Sequence, residues 1–183
     1  MVMKATRFLL LIAVFCFGLS AVLSAQRDKS TRPSPPAQTN ATLGDLTIAI
    51  DYSQPSVKGR EIWGGLVPYG EVWRTGANEA TTFEVNADVQ IQGKTLPAGK
   101  YSLFSIPGEE EWVFIFNKVP NQWGAFKYNP ADDVLRITAK PGKAPVFTEK
   151  MSFEVAAKGD RMAWVNLIWA DLAIGFGIEP MAK

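Results

Sequence analysis

The 183-residue chain has no histidine, and its single cysteine, Cys16, lies within an N-terminal apolar run. Without histidine there can be no Ser–His or Cys–His nucleophile pair. Without histidine or a mature cysteine there is no zinc site of nitrogen or sulfur ligands. The chemistry left open is carboxylate acid–base work, a lysine or tyrosine base, or an oxygen-only Ca²⁺ or Mg²⁺ site. Charge of one sign is also missing: 19 Lys and Arg against 18 Asp and Glu give a formal net charge of +1. No basic run is interleaved with aromatics, so neither nucleic acid nor an anionic membrane surface is an expected partner. No repeat with a period of roughly 20–50 residues is visible, which excludes a propeller or solenoid. No cofactor is expected either.

What is there begins with an address. Lys4 and Arg7 precede an apolar run over residues 8–23, which closes on Ser24 and Ala25. A charged start, an apolar middle and a small-residue end predict a signal peptide over residues 1–25. The run is shorter than the roughly 20 residues of a spanning helix, so no stable membrane span is expected after cleavage. The mature chain is then predicted to be exported, either periplasmic or extracellular. It would carry no thiol, so its stability must come from its core, and the remaining 158 residues suffice for one domain. Taking the two leader cations from 19 leaves 17 basic residues against 18 acidic ones. Residues 26–42 are polar and rich in Ser, Thr and Pro, which predicts a disordered linker containing the glycosylation-type triplet Asn40-Ala41-Thr42.

From residue 43 to the end, strands and turns alternate. Leu46, Ile48, Ile50 and Tyr52 mark one face of a strand that Pro55 ends. Short strands follow around Phe83–Val85 and Val89–Ile91, then a longer one over 100–106. The turn at 107–111 joins this to Trp-Val-Phe-Ile-Phe at 112–116, whose unbroken apolar run predicts burial on both faces. Strands over 134–139, 147–155, 162–169 and 172–178 complete the pattern. Asn166, Asp171, Gly175 and Gly177, with a period of two, exclude a helix or membrane span at the end. The prediction is a single all-β domain over 43–183, an antiparallel β-sandwich or jelly-roll-like barrel of eight or nine strands.

One segment, residues 55–82, has no hydrophobic period and concentrates Gly, Pro, Trp, Arg, Asn and Glu. It carries the runs Ser56-Val57-Lys58-Gly59-Arg60, Leu66-Val67-Pro68-Tyr69-Gly70 and Val72-Trp73-Arg74-Thr75-Gly76-Ala77-Asn78-Glu79-Ala80-Thr81. With Leu96-Pro97-Ala98-Gly99, Tyr101-Ser102-Leu103-Phe104 and Gln122-Trp123-Gly124, these resemble the bacterial family known as domain of unknown function 2911. The resemblance implies an exported β-domain without an agreed activity, and it carries no catalytic residues with it.

The candidate site therefore rests on chemistry. Arg74 offers a planar donor fork to a carboxylate, phosphate or sugar hydroxyl. Asn78 supplies donor and acceptor, and Glu79 an acceptor or base. Trp73, Trp63, Lys58, Arg60, Tyr69 and Trp123 complete the set, with Trp63 and Trp123 in loops where an aromatic face can meet a sugar ring. Trp112, Trp164 and Trp169 fall in strand patterns and are expected in the core. The structural alternative is that Arg74 and Glu79 pair with each other or with neighbouring backbone and pin the segment to the sandwich. Three functions compete: a monomeric or weakly associating module binding a small polar or carbohydrate ligand or an envelope partner through residues 58–79, a carboxylate hydrolase using Glu79 with Arg74, and a purely structural envelope module. Asn129, Asp132 and Asp133 or the Glu109-Glu110-Glu111 run could supply oxygen ligands, but neither has the spacing of a calcium loop, and no metal is expected.

Overall fold

A computed structural model describes residues 28–181; the predicted leader lies outside them. Residues 28–32 fall outside the main unit and contain a 3₁₀ turn at Lys29–Thr31, where Ser30 N donates to Asp28 Oδ1 at 2.9 Å. From Pro33 onward the described chain folds as an all-β sandwich of two antiparallel sheets.

The strands are β1 (Pro36–Leu43), β2 (Leu46–Ser53), β3 (Thr82–Val85), β4 (Val89–Ile91), β5 (Lys94–Leu96), β6 (Gly99–Ile106), β7 (Trp112–Asn117), β8 (Asp133–Ala139), β9 (Gly142–Ala157) and β10 (Ala163–Pro180). One sheet runs β1-β2-β3-β6-β7-β8, the other β5-β4-β10-β9. Ten strands replace the expected eight or nine. Two are additions, β1 and β5, while the two predicted strands over 162–178 belong to one element, β10.

The first addition corrects the predicted linker. Residues 36–43 are not disordered: they pair with β2 along its whole length, from Pro36 opposite Ser53 to Leu43 opposite Leu46. Half-buried Ala37, Thr39 and Ala41 alternate with exposed Gln38, Asn40 and Thr42. The period is two, as in any half-buried strand, but small and polar residues carry it, so hydrophobicity alone does not show it. Thr39 also reaches across to the other sheet, its Oγ1 donating to the Phe153 carbonyl at 2.9 Å.

The core fills the space between the sheets. Ile48, Ile50, Phe83, Leu103, Trp112, Phe114 and Phe116 from one sheet meet Val89, Ile91, Phe153, Leu167, Trp169, Phe176 and Ile178 from the other. Each fully buried large apolar side chain contributes about 1.5–3 kcal/mol before entropy is counted. β7 is buried on both faces as expected, and β6 is too: Phe104 and Ile115 point outward and are covered by Val72, Ala125 and Tyr128 from irregular segments.

β10 is not straight. In an extended strand, residues ten apart lie about 33 Å from each other. Here a Cβ added at Gly175 would sit 2.2 Å from the Val165 carbonyl oxygen, and one at Gly177 would touch Met162 and Trp164. The second half of β10 therefore lies against its first half. Ala170 is left-handed (φ 55°) where the pairing with β9 shifts register, which places the bend at Ala170 and Asp171.

Candidate functional site

The non-periodic segment after β2 is tied down at three places. Met151 N donates to Pro55 O and Val57 N to Glu149 O, fixing its start to β9. Trp73 and Ser105 exchange backbone hydrogen bonds of 2.7 and 2.9 Å, fixing its middle to β6. Ala80 N donates to Gln122 O and Gly124 N to Asn78 O, fixing its end to the loop after β7. A long stretch without ladder partners is thereby held with its backbone satisfied at the anchor points.

Local geometry around Arg74 is tightly specified. Trp73 Nε1 donates to Gly76 O at 3.1 Å, which fixes the indole over the turn. Thr75 is fully buried and left-handed (φ 51°), a costly conformation for a β-branched residue, held by two hydroxyl bonds. Its Oγ1 donates to Ser105 Oγ at 3.0 Å, and Thr81 Oγ1 donates to its carbonyl at 2.8 Å. Gly76 is required by proximity: a Cβ there would lie 2.9 Å from Thr81 Oγ1 and 3.3 Å from Ser53 O. Strain and close packing at consecutive residues aim Arg74.

Arg74 lines an inner cleft of about 200 Å³ with Arg60, Trp73, Gly76, Trp169 and Ser34. No acidic residue lines it. The Arg74 Nε is buried and has no hydrogen-bond acceptor among the described residues, nor do the buried Nε1 donors of Trp63, Trp112 and Trp169. Desolvation, with no partner to offset it, lowers the Arg74 pKa from its ordinary value. No carboxylate contributes to that shift, so pairing of Arg74 with Glu79 finds no support in it. Uncompensated charge and orphaned buried donors are costly, so the unpartnered Arg74 Nε and Trp169 Nε1 in one cleft need a reason.

An outer cleft of about 500 Å³ adjoins it, lined by Arg60, Glu61, Trp63, Tyr69, Phe147 and Asp171. Arg60 belongs to both walls. Its Nε and Nη2 donate to the carbonyls of Val57 and Ser56, which hold the guanidinium in place. Tyr69 and Phe147 are exposed and Trp63 half-buried. Asp171 is delivered by the bend in β10. Burial, then the charges of Glu109, Asp171 and Glu61, push the Tyr69 phenol pKa up.

Four indoles pack together, three of them in the cleft walls. Trp63 meets Trp112, Trp169 and Trp73 edge-on at 4.9, 5.7 and 5.9 Å between ring centroids, and Trp73 stacks on Trp169 at 6.1 Å.

Of the predicted residues, Arg74, Trp73, Arg60, Trp63 and Tyr69 thus line the two clefts. Lys58, Asn78, Glu79 and Trp123 line neither. Asn78 instead donates through Nδ2 to the Ser34 carbonyl at 2.9 Å, and Glu79 and Trp123 form a backbone bridge. Lys58 is exposed, with its backbone N–H on Glu149 Oε1. Sequence reasoning missed Ser34, Glu61, Phe147, Trp169 and Asp171. The one available signal was a charge, Asp171, inside an apolar strand run. Asp132 and Asp133 are engaged elsewhere, with Lys118 and with Asn117, Tyr128 and Arg136. Among the described residues no cluster of three potential metal ligands occurs, and no helix is long and apolar enough to cross a membrane.

Fold and site together define an all-β sandwich protein with a cationic cleft beneath a long irregular segment. The chain belongs to the family described as "Protein of unknown function (DUF2911)", whose model matches residues 34–178. No curated protein and no solved structure matches it. The matched region begins at Ser34, one of the residues of the inner cleft.

Proposed function

We propose that the domain is a non-catalytic binding module for a small anion, a carboxylate or phosphate group taken into the inner cleft by Arg74. The observation that carries this reading is the half-buried guanidinium whose Nε has no acceptor, in a cleft with no acidic residue. An anion there would restore the charge balance through a bidentate, charge-assisted pair. The cleft falls below the roughly 300–1,000 Å³ of drug-sized pockets, which suits an anionic group rather than a whole large ligand. The hydrolase reading has no comparable support, since Glu79 lines neither cleft. A purely structural module would need no such concave cationic site.

The test is thermal stabilisation by acetate, hexanoate and inorganic phosphate. A ligand at 100 times its Kd stabilises by about 2.7 kcal/mol, a rise of roughly 5–11 °C for this size. The wild-type protein is expected to show such a rise with at least one of them and Arg74→Met none. No stabilisation of the wild type by any at millimolar concentration would overturn the reading. The leader read in residues 1–25 would place this binding outside the cytoplasm, and fractionation of cells expressing the full chain checks that.

A further inference from the structure

Resting on that reading, we infer that the ligand is dipolar: an amino-carboxylate whose carboxylate enters the inner cleft and whose ammonium group lies in the outer one. The two clefts meet at Arg60 and carry opposite chemistry. One presents Arg74 and the unpartnered Nε1 of Trp169 with no acidic residue. The other presents Glu61 and Asp171 among Tyr69, Phe147 and Trp63.

Carboxylates set among aromatic faces are the environment an ammonium group prefers, through ion pairing and attraction to the ring quadrupoles. A simple dianion would be repelled by the outer cleft and a simple cation by the inner one. A ligand with both charges satisfies both ends. Trp169 adds a second observation on the anion side: the residue is 1 % exposed, its Nε1 has no acceptor, and it lines the inner cleft. On the cation side, Asp171 is placed by the left-handed bend at Ala170, an arrangement the sheet pairing alone would not need.

The experiment is calorimetric titration of the wild-type domain with glycine, 4-aminobutyrate and 6-aminohexanoate. Hexanoate and acetate serve as carboxylates without the ammonium, and digalacturonate as an acidic sugar. At least one amino-carboxylate is expected to bind about tenfold tighter than hexanoate, a difference of ~1.4 kcal/mol. The double variant Glu61→Gln, Asp171→Asn is expected to erase that advantage while hexanoate affinity stays within about twofold, which also shows that the variant is folded. Arg74→Met is expected to abolish binding of both. If hexanoate binds as tightly as every amino-carboxylate, or digalacturonate binds tighter than all of them, the dipolar assignment fails while the anion site stands. If no carboxylate binds, the dipolar assignment fails, and the anion site fails with it unless inorganic phosphate stabilises the wild type.

Discussion

Arg74 is a residue whose placement costs stability and whose return must lie elsewhere. Removing the charge while keeping the stem, as in Arg74→Met, relieves a desolvated and unpaired cation. The melting temperature in ligand-free buffer is expected to rise by about 2–4 °C, equivalent to ~1 kcal/mol in a domain of this size. Calorimetry on the two proteins checks it, and a fall of several degrees would mean the guanidinium supports the fold. Tyr128 gives a second residue-scale test. Burial, then its hydrogen bond to Asp133, pushes its phenol up to about 12 from an ordinary value of 10.0. Below pH 10 the phenol is protonated in both the folded and unfolded chain, so it adds no pH dependence. Between about pH 10 and 12 the unfolded chain ionises first, and stability is lost as pH rises. A melting series across that interval should show the loss, and Tyr128→Phe should flatten it.

Among the elements, β10 is the one that positions the site, and its bend depends on Gly175. A side chain there would overlap the Val165 carbonyl and press on Asn166 Oδ1 and the Trp164 indole. Gly175→Ala is expected to lower the melting temperature by roughly 6 °C or more, since overpacking of this severity exceeds the usual 1–3 kcal/mol. It should also displace Asp171 and weaken whatever the outer cleft binds. Period and turn chemistry made most strands legible in the sequence, the hairpin joining β6 to β7 most clearly. Strand β1 was hidden because Ala, Thr and Asn carry its alternation. The fold-back of β10 was half legible: the interruption at 170–171 was visible as a gap between two strands, but their mutual contact is a long-range fact that no local pattern encodes. The clefts were less legible still. Arg74 and Trp73 announced themselves in a segment without period, whereas Trp169, Glu61 and Asp171 reach the site only through the way distant elements fold together.

At the scale of the whole molecule, the two sheets are stitched where their edges meet. Thr39 bonds across to Phe153, while Gln92 and Lys94 bond to the carbonyls of Thr138 and Arg136. These contacts occupy polar edge groups that would otherwise be open to another chain. Removing residues up to 43 strips β1, exposes the edge of β2 and deletes the Ser34 carbonyl that holds Asn78. A protein beginning at residue 44 is expected to melt more than about 10 °C lower than one beginning at residue 33, or to aggregate, as differential scanning calorimetry and size-exclusion chromatography would show. The indole cluster has a consequence of a different kind. Four tryptophans linked by ring contacts share excitation, and two of them, Trp73 and Trp169, form part of the inner cleft. The protein therefore contains its own optical reporter: whatever settles against Arg74 should change the emission and near-ultraviolet dichroism of the cluster, so occupancy can be followed without a label.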